Sequence, residues 1–258
     1  MRLATFNLLH GRSVADGQVR QLDLVGAAAD LDADVVGLQE VDRGQDRSGG
    51  ADQTAVAAAA LGAAHWRFVP TLEGVPGGAW TASGVDDGST VIGPAYGIGL
   101  VSRWPVRSWH VRRFGPAPVA MPLLVPGSKG LTRVDDEPRV AVGAVLDTPS
   151  GRLTVVTTHL SFVPGWNVAQ LRAIAGWART LPGPRVLLGD FNLPGAVPRL
   201  ATRWIQAVRV ATYPSWRPRV QFDHVLLDGV SPTAVAGGRS IRTAISDHCA
   251  LVVDLQGT

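Results

Sequence analysis

The chain has 258 residues, a net charge of +3, and 46% hydrophobic against 17% charged residues. This composition excludes an intrinsically disordered chain, and the length fits one domain over residues 1–258 with a large core. A single cysteine, Cys249, excludes an intrachain disulfide. Without a signal-peptide pattern or an apolar run of membrane-spanning length, the sequence predicts a cytoplasmic protein with no transmembrane segment.

Short apolar runs bounded by Gly, Pro, Asp or Ser predict the strands of this chain. In chain order the predicted strands are Leu3–Leu8, Asp34–Gln39, Ile98–Ser102, Val140–Asp147, Leu153–Thr158, Arg185–Gly189, Gln221–Leu227 and Cys249–Leu255. Segments of near-helical periodicity lie between some of them. These predicted helices are Val19–Leu31, Gln53–Leu61, Val168–Leu181 with Asn167 as its N-cap, and a short helix near Pro198–Val208.

The connections between these elements indicate the fold class. The turn Pro149-Ser150-Gly151 joins two predicted strands directly, which is a hairpin pattern and requires antiparallel pairing. Helices are too few for a strictly parallel wind, so the sequence predicts a layered α/β protein with antiparallel strands in its sheets. Two stretches rich in Gly and Pro, 71–96 and 114–138, lack periodicity and are predicted as long loops whose role the sequence does not define.

Polar side chains stand at the ends of several predicted strands, at Asn7, Glu40, His159, Asp190 and Asn192. One such residue is more often part of a turn than of a functional site. Several strand ends with matching chemistry favour a shared site, because carboxylate and amide oxygens suit magnesium or manganese, and histidine transfers protons near neutral pH.

The alternation of side chains along a strand predicts where these groups face. If the strands persist, Asp190 and Asn192 share a face with Leu188, and Glu40 shares a face with Leu38. The apolar partners would hold each strand in the core. The polar tip would then lie at the rim of the sheet.

Two Asp-His dipeptides near the C-terminus extend this set. Because neighbouring side chains point to opposite faces, a crossed pairing is expected, in which Asp223 hydrogen-bonds His248 and sets its tautomer. Asp247 would then face the metal or water, and His224 would have a structural role. Cys249 begins an apolar run and is interpreted as a small buried residue rather than a nucleophile.

Seven motifs occur along the chain in a recognisable order, TFNLLHG, VVGLQEVD, YGIGLVSRWPV, TTHLS, LLGDFN, QFDHVLL and ISDHCALVVDL. Together they span residues 5–255 and resemble the endonuclease/exonuclease/phosphatase superfamily, which includes DNase I-like nucleases, neutral sphingomyelinases and phosphatases. The resemblance implies a four-layered α/β/β/α sandwich of two packed mixed β-sheets, the DNase I-like fold. It also implies a divalent-metal phosphohydrolase with its site at one edge of the sandwich.

Carried over motif by motif, the resemblance implies roles for individual residues. Mg²⁺ or Mn²⁺ would be held by Asn7, Glu40 and Asp247. The implied catalytic residues are His159 at the phosphate, Asp190 on the attacking water with Asn192 beside it, and His248 held by Asp223. The number of metals and the identity of the general base stay open.

The substrate is less well defined by the sequence. Leu9 and Asp42 replace the acidic residue and the lysine usual in the repair nucleases of this superfamily, which disfavours an abasic-site endonuclease. We therefore predict hydrolysis of a phosphodiester, in nucleic acid or a small molecule. The alternatives are a phospholipid or sugar-phosphate hydrolase of the same fold and a non-catalytic binding module, which is disfavoured because every chemical position is filled.

Residues that contact the substrate would come from the loops. The predicted phosphate contacts are His10, Arg43, Arg103 and Arg139, with Arg47 and Arg133 as further candidates. Four of the eight tryptophans lie beside Gly or Pro, namely Trp80, Trp104, Trp166 and Trp216. Packing is the expected role of these rings and stacking on a base is the alternative. No protein partner is indicated.

Overall fold

The structure of the protein is a computed structural model that describes residues 1–124 and 130–256. Within these ranges the strands are β1 (Arg2–Asn7), β2 (Val35–Arg43), β3 (His65–Gly74), β4 (Trp80–Ala82), β5 (Ala95–Ser102), β6 (Val106–Phe114), β7 (Met121–Leu124), β8 (Leu131–Val134), β9 (Arg139–Thr148), β10 (Gly151–His159), β11 (Arg185–Asp190), β12 (Ile205–Gln206), β13 (Asp223–Asp228), β14 (Val235–Ile241) and β15 (Ala250–Leu255). The α-helices are α1 (Gln21–Leu31), α2 (Gln53–Ala60), α3 (Trp166–Ala178) and α4 (Val197–Thr202).

The strands form two large mixed sheets. The first sheet has seven strands in the order β14-β15-β1-β2-β5-β3-β4, and the second has six in the order β12-β13-β11-β10-β9-β6. Each sheet contains one parallel pair, β1 with β2 and β10 with β11, among otherwise antiparallel neighbours. Strands β7 and β8 form a separate hairpin. In each parallel pair, two strands end at the same edge of the sheet.

Three apolar cores separate the layers of the sandwich. The inner faces of the two sheets pack on each other through fully buried residues such as Leu3 and Val186. Helices α1 and α2 cover the outer face of the first sheet, where Leu31 packs with Phe6. Helices α3 and α4 cover the second sheet, where Ile174 is fully buried. This is the α/β/β/α sandwich predicted from the sequence.

A buried polar connection fixes the two sheets against each other next to the functional edge. Gln39 on β2 donates from Nε2 to Oγ1 of Thr157 on β10 over 3.1 Å, and its Oε1 accepts a hydrogen bond from Thr5 over 3.1 Å. Gly37 permits this close approach, since a Cβ there would overlap Thr157 and Leu188. The sheets therefore have a defined offset where their strands end.

Several strands were not predicted, and each breaks a pattern on which prediction depends. β3 carries Pro70 at a register shift, and β14 carries Gly237 at another. β6 lies at a sheet edge and is only partly buried along its length. The predicted loop 71–96 contains the end of β3, all of β4 and the start of β5. The predicted loop 114–138 contains the β7–β8 hairpin, and its residues 125–129 lie outside the described chain.

The helices also differ from prediction at their ends. The N-cap of α3 is Gly165 rather than Asn167, which lies inside the helix and donates a hydrogen bond from Nδ2 to the Asn192 carbonyl over 3.1 Å. Helix α4 ends at Thr202 because Arg203 adopts a left-handed conformation. No helix in the described ranges is both long and apolar enough to cross a bilayer.

Candidate active site

The polar ends of strands from both sheets meet at one edge of the sandwich. In the second sheet, the registers of β10 and β13 with β11 place His159 and Asp223 on either side of Asp190. In the first sheet, β1 ends at Asn7, whose Nδ2 donates to Oε1 of Glu40 over 2.9 Å and to Oδ2 of Asp190 over 3.1 Å. One amide therefore connects carboxylates that belong to different sheets.

A cavity of about 440 Å³ opens at this edge. Of the predicted site residues, it is lined by Glu40, Arg139, His159, Asp190, Asn192, Asp247 and His248. Asn7 and Asp223 support these residues through hydrogen bonds. The sequence thus located the residues of one connected site, although it could not define the shape of the cavity.

Glu40 reaches the cavity through an irregularity in β2. The register with β5 shifts between Leu38 and Val41, and Glu40 has a left-handed backbone with φ of 53°. This bulge corrects the expectation that Glu40 shares a face with Leu38, which packs under the helices of the first sheet. Burial, opposed by the Asn7 hydrogen bond and reinforced by Asp247, raises the pKa of Glu40 to about 7.

Asp190 ends its strand and also begins a turn. Its Oδ1 accepts a hydrogen bond from the backbone N–H of Asn192 over 2.9 Å, and Asn192 has φ of 50°. Strand β11 therefore stops at Asp190, and the expectation that Asn192 continues the face of Leu188 is wrong. Before it, Gly189 has φ of 149°, and a Cβ there would overlap the carbonyl oxygen of Thr158.

The other carboxylate oxygen of Asp190 faces two imidazoles. Its Oδ2 lies 3.7 Å from Nε2 of His159 and 3.7 Å from Nε2 of His248. Burial, opposed by the charge on His248, raises the pKa of Asp190 to about 6. A carboxylate with this pKa is ionised at neutral pH and close to the range in which a general base works best.

His248 is held from behind by Asp223. Nδ1 of His248 lies 2.8 Å from Oδ2 of Asp223, so the hydrogen bond expected from the crossed pairing is present. Burial alone lowers the pKa of His248, but Asp223 and Asp190 outweigh it and raise that pKa to about 10. His248 is therefore an imidazolium at neutral pH. Ser246, which the sequence analysis missed, donates to the Asn7 carbonyl over 2.6 Å and accepts from the His248 N–H over 3.0 Å.

His159 differs from His248 in its charge state. Burial, reinforced by Arg139 and His248, lowers the pKa of His159 well below its usual range, so the ring is neutral at neutral pH. Nδ2 of Asn192 lies 3.3 Å from its Nε2, which accepts this hydrogen bond in the neutral form. The site therefore pairs one neutral imidazole with one charged imidazole across Asp190.

His224 lies outside the cavity and has the structural contacts expected of it. Its ring is fully buried, stacks on Phe191 with centroids 5.4 Å apart, and hydrogen-bonds the Leu193 carbonyl through Nε2 over 2.8 Å. Both contacts fall on the turn that follows Asp190. His224 therefore supports the turn that follows Asp190 through these two contacts.

Two groups of residues in the site could hold a metal ion. Ligand atoms of Asp190, Asp223 and His248 lie within 4.8 Å of one another, the only such group of three among the described residues. His248, however, is protonated and committed to Asp223, and an imidazolium has no free lone pair for a metal. The carboxylates of Glu40, Asp190 and Asp247 line the same cavity and are hard oxygen donors, which fit a divalent cation better.

Asn7 does not present its oxygen to this site. Its Oδ1 accepts a hydrogen bond from the Leu9 N–H over 3.0 Å, which turns Nδ2 towards Glu40 and Asp190. Reversing the amide would set its oxygen against two carboxylates and leave the Leu9 N–H without its acceptor. In this arrangement Asn7 positions Glu40 and Asp190, and its role as a metal ligand stays a prediction.

The predicted phosphate contacts separate into two groups, and only Arg139 lines the cavity. Its side chain is buried against Asp136 at 3.1 Å, and its Nε has no hydrogen-bond partner among the described residues. Arg43 instead pairs with Asp52 at 3.1 Å and with the Gly88 carbonyl. Arg43 is thus held by structural partners outside the cavity lining, and its contact with a phosphate stays a prediction.

Arg103 and His10 also lie outside the cavity lining. Arg103 follows β5 and donates its N–H to the Asp34 carbonyl over 2.8 Å, which places it at the start of β2, whereas Glu40 lies near the end of that strand. Burial, reinforced by Arg47, lowers the pKa of His10 to about 4. Neither group borders the cavity, and the phosphate contacts of both stay predictions.

Several lining residues escaped the sequence analysis, namely Tyr96, Asp135, Glu137, Phe162, Tyr213 and Phe222. Tyr213 packs at 4.9 Å from the His248 ring, and its segment has no periodic pattern that would have singled it out. The acidic run around residues 135–137 was visible in the sequence but lay within a stretch predicted as an undefined loop. These residues give the cavity its aromatic and acidic walls.

The layered sandwich and the carboxylate and histidine cluster at the strand ends define a metal-assisted phosphohydrolase architecture. The model of the Endonuclease/Exonuclease/phosphatase family matches residues 4–248, and the chain belongs to this family of phosphohydrolases. No curated protein matches the sequence.

Solved structures share the fold at low sequence identity. An endonuclease/exonuclease/phosphatase from Beutenbergia cavernae matches with a TM-score of 0.66 and 23% identity over 99% of this chain and 71% of that one. A mannosyl-6-phosphatase of Bacteroides thetaiotaomicron gives 0.65 and 16% over 99% of each chain. Sphingomyelinase C from Streptomyces griseocarneus gives 0.61 and 17%, again over 99% of each. The chain therefore shares its fold with proteins that are named for different phosphoesters, a sugar phosphate and sphingomyelin.

Proposed function

We propose that this protein is a Mg²⁺- or Mn²⁺-dependent phosphodiesterase that hydrolyses a small phosphodiester by attack of water. The observation that carries the proposal is the position of Asp190 Oδ2, 3.7 Å from Nε2 of both His159 and His248 and hydrogen-bonded to Asn7. A general base beside one fixed cation and one neutral imidazole suits phosphoester hydrolysis, since the base can activate water and the cation can stabilise negative charge on the phosphoryl oxygens.

The charge states of the site assign the roles of its residues. Asp190, with a pKa of about 6, takes the proton of the attacking water. His248, with a pKa of about 10, stays charged and stabilises the phosphoryl oxygens, while Asp223 fixes its orientation. His159 contacts the phosphate on the other side of Asp190, and Asn192 orients His159 through Nδ2.

The carboxylates of Glu40 and Asp247, which line the cavity, would hold the metal ion. When bound, it would neutralise charge on the phosphoryl oxygens as a Lewis acid. The raised pKa of Glu40 fits this assignment, since a carboxylate crowded by other carboxylates and by burial gains most from a cation. Asn7 keeps Glu40 and Asp190 in place through its two hydrogen bonds.

The walls of the cavity favour a small substrate over a nucleic-acid strand. Asp135 and Glu137 line the cavity together with Arg139, the one arginine of the predicted contacts that does so. Acidic side chains repel the successive phosphates of a polynucleotide, whereas they accept hydrogen bonds from hydroxyl groups. The same two side chains support a second candidate function, hydrolysis of a sugar phosphate.

A panel of phosphoesters tests the proposal. The purified protein would be assayed on bis(4-nitrophenyl) phosphate, 4-nitrophenyl phosphate, mannose 6-phosphate, plasmid DNA, RNA and sphingomyelin, with Mg²⁺ or Mn²⁺ and with EDTA as the control. We expect EDTA-sensitive hydrolysis with the diester bis(4-nitrophenyl) phosphate ahead of the monoesters and of both nucleic acids. Hydrolysis of monoesters alone would support the sugar-phosphate candidate, and no metal-dependent turnover would refute both.

A further inference from the structure

A second cavity of about 620 Å³ adjoins the catalytic one. It lies between residues 9–17, which follow β1, and the segment 213–216. Tyr213 and Asp247 line both cavities, so the two spaces meet at these side chains. Neither the Tyr213 hydroxyl nor the Asp247 carboxylate makes a hydrogen bond to any described residue. A ligand that extends from the phosphate position past Asp247 would enter the second cavity.

One wall of the second cavity is an exposed aromatic ring. Trp216 is 57% exposed, although a tryptophan at a loop position is normally covered by packing. Leu9 and Val14 supply further apolar surface, and Val14 is 42% exposed. The cavity therefore offers a face suited to a flat apolar group.

The second cavity also has a positively charged side chain in its wall, Arg12. Among the described residues, no carboxylate lies within salt-bridge distance of its guanidinium group. The guanidinium lies along Gly17, where an added Cβ would be 3.3 Å from Nη2. The acidic residue of this wall, Asp16, is already paired with Arg20 at 2.6 Å. Arg12 is thus an uncommitted charge facing a cavity next to the catalytic site.

These features together identify the chemistry of the occupant. We propose that the second cavity binds one ester group of the phosphodiester and that this group is a planar aromatic ring, stacked on Trp216 with Arg12 beside it. This deepens the proposed function and rests on it. A planar ring can contact both an indole and a guanidinium group favourably, whereas an aliphatic chain would bury the charge of Arg12 without compensation.

The two adjoining cavities also fit a substrate that has two ester groups on its phosphate. A phosphate between His159 and His248 has one ester group on the side of Arg139 and Glu137 and room for a second beyond Asp247. A monoester would leave one of the two cavities without an occupant. The substrate class is therefore a small phosphodiester in which at least one ester group carries a planar aromatic ring, either directly, as a phenyl ester does, or through a sugar, as a nucleoside does.

Binding of two symmetric diesters with poor leaving groups tests this inference. Diphenyl phosphate and dimethyl phosphate would be titrated calorimetrically into the full-length protein with Mg²⁺, and the ratio of their affinities compared between variants. We expect diphenyl phosphate to bind at least about tenfold more tightly, because stacking of a ring is typically worth about 1–3 kcal/mol. Trp216→Ala should lower the ratio about tenfold, Arg12→Ala about threefold, and Trp216→Phe much less.

A matched control separates a local effect from a general one. Trp66, on β3, is 40% exposed and lines neither cavity, so Trp66→Ala should leave the ratio as in the wild type. An unchanged ratio in Trp216→Ala, with a wild-type melting curve, would overturn the inference. Tighter binding of dihexyl phosphate than of diphenyl phosphate would do so as well, since it would identify an aliphatic occupant.

The same proteins distinguish this inference from the proposed function. Hydrolysis of bis(4-nitrophenyl) phosphate would be measured with Mg²⁺ in parallel. Turnover by the wild type with no Trp216-dependent affinity ratio would leave the phosphodiesterase standing and reject the aromatic subsite. A Trp216-dependent ratio without turnover would support the subsite and reject the catalytic assignment.

Discussion

Oδ2 of Asp223 lies 2.8 Å from Nδ1 of His248, and both side chains are buried. The contact leaves the other ring nitrogen, Nε2, at 3.7 Å from Oδ2 of Asp190. Asp223 therefore fixes the orientation of the imidazole that faces the base and, together with Asp190, its positive charge. The charge of His248 depends on Asp223 more than on exposure to solvent.

Asp223→Asn should shift the alkaline limb of the pH–rate profile to lower pH. The pKa of His248 is raised to about 10, so the imidazolium persists below that pH and is lost as the pH rises through it. Removing the charge of Asp223 lowers this pKa, and activity should fall at a lower pH than in the wild type. The pH dependence of kcat/KM on bis(4-nitrophenyl) phosphate measures the shift, and NMR titration of the imidazole assigns it. A limb that stays in place would show that His248 does not act as a cation.

Asp190→Asn should remove most of the activity and leave the fold intact. The amide keeps an oxygen that can accept the hydrogen bond donated by the Asn192 N–H, which is 2.9 Å long in the wild type, but it cannot take a proton from water. Loss of a general base typically costs about 10²–10⁴-fold in rate. The matched control is Asp254→Asn, a surface carboxylate paired with Arg2, which should retain full turnover. Near-wild-type kcat in a folded Asp190→Asn protein would remove Asp190 from the mechanism.

Metal binding should stabilise the protein more at pH 8 than at pH 5.5. The pKa of Glu40 is raised to about 7, so this carboxyl is largely protonated at pH 5.5 and ionised at pH 8. Protons compete with a cation for these oxygens, and the competition ends as the pH rises. Thermal melts with Mg²⁺ and with EDTA at the two pH values measure the difference. An equal gain in Tm at both pH values would indicate that the metal binds to other ligands.

His224→Leu should destabilise the fold by about 1–3 kcal/mol, because the Leu193 carbonyl loses its buried donor. In the wild type this hydrogen bond is 2.8 Å long and lies under the turn that carries Asn192. Urea unfolding gives the free energy, and kcat should fall as the turn loosens. The control is His65→Leu, at a partly exposed position without a side-chain hydrogen bond among the described residues, where a change within about 0.5 kcal/mol is expected.

Strand ends were the feature of the active site that the sequence predicted best. A strand such as RVLLGD is apolar until it meets the site, and the parallel register of β10 with β11 then sets His159 opposite Asp190. Regular alternation could not predict the bulge at Glu40 or the turn at Asn192, because both depend on a left-handed backbone rather than on hydrophobic pattern. These local conformations re-aim side chains that a regular strand would direct elsewhere.

The substrate contacts were predicted less well, since an arginine looks the same in sequence whether or not it is already paired. All three of Arg43, Arg103 and Arg139 have carboxylate partners, and only Arg139 also lines the cavity. Tyr213 and Trp216 lie in a segment without periodicity. They can be recognised as cavity-lining residues only from the packing of that segment against residues 9–17. Long-range packing, absent from any short window of sequence, decides which of these residues can meet a ligand.

Three residues around the site have left-handed backbone conformations, and these limit how the protein could evolve greater thermal stability. Glu40, Asn192 and Ser246 have φ values of 53°, 50° and 70°, and such conformations typically cost about 1–3 kcal/mol each for residues other than glycine. The sandwich absorbs this cost within a total stability of about 5–15 kcal/mol that is usual for a domain. Selection for heat resistance alone would favour glycine at all three positions and would erase the carboxylate and amide groups of the site. Thermal robustness and hydrolysis thus compete for the same few residues of this chain.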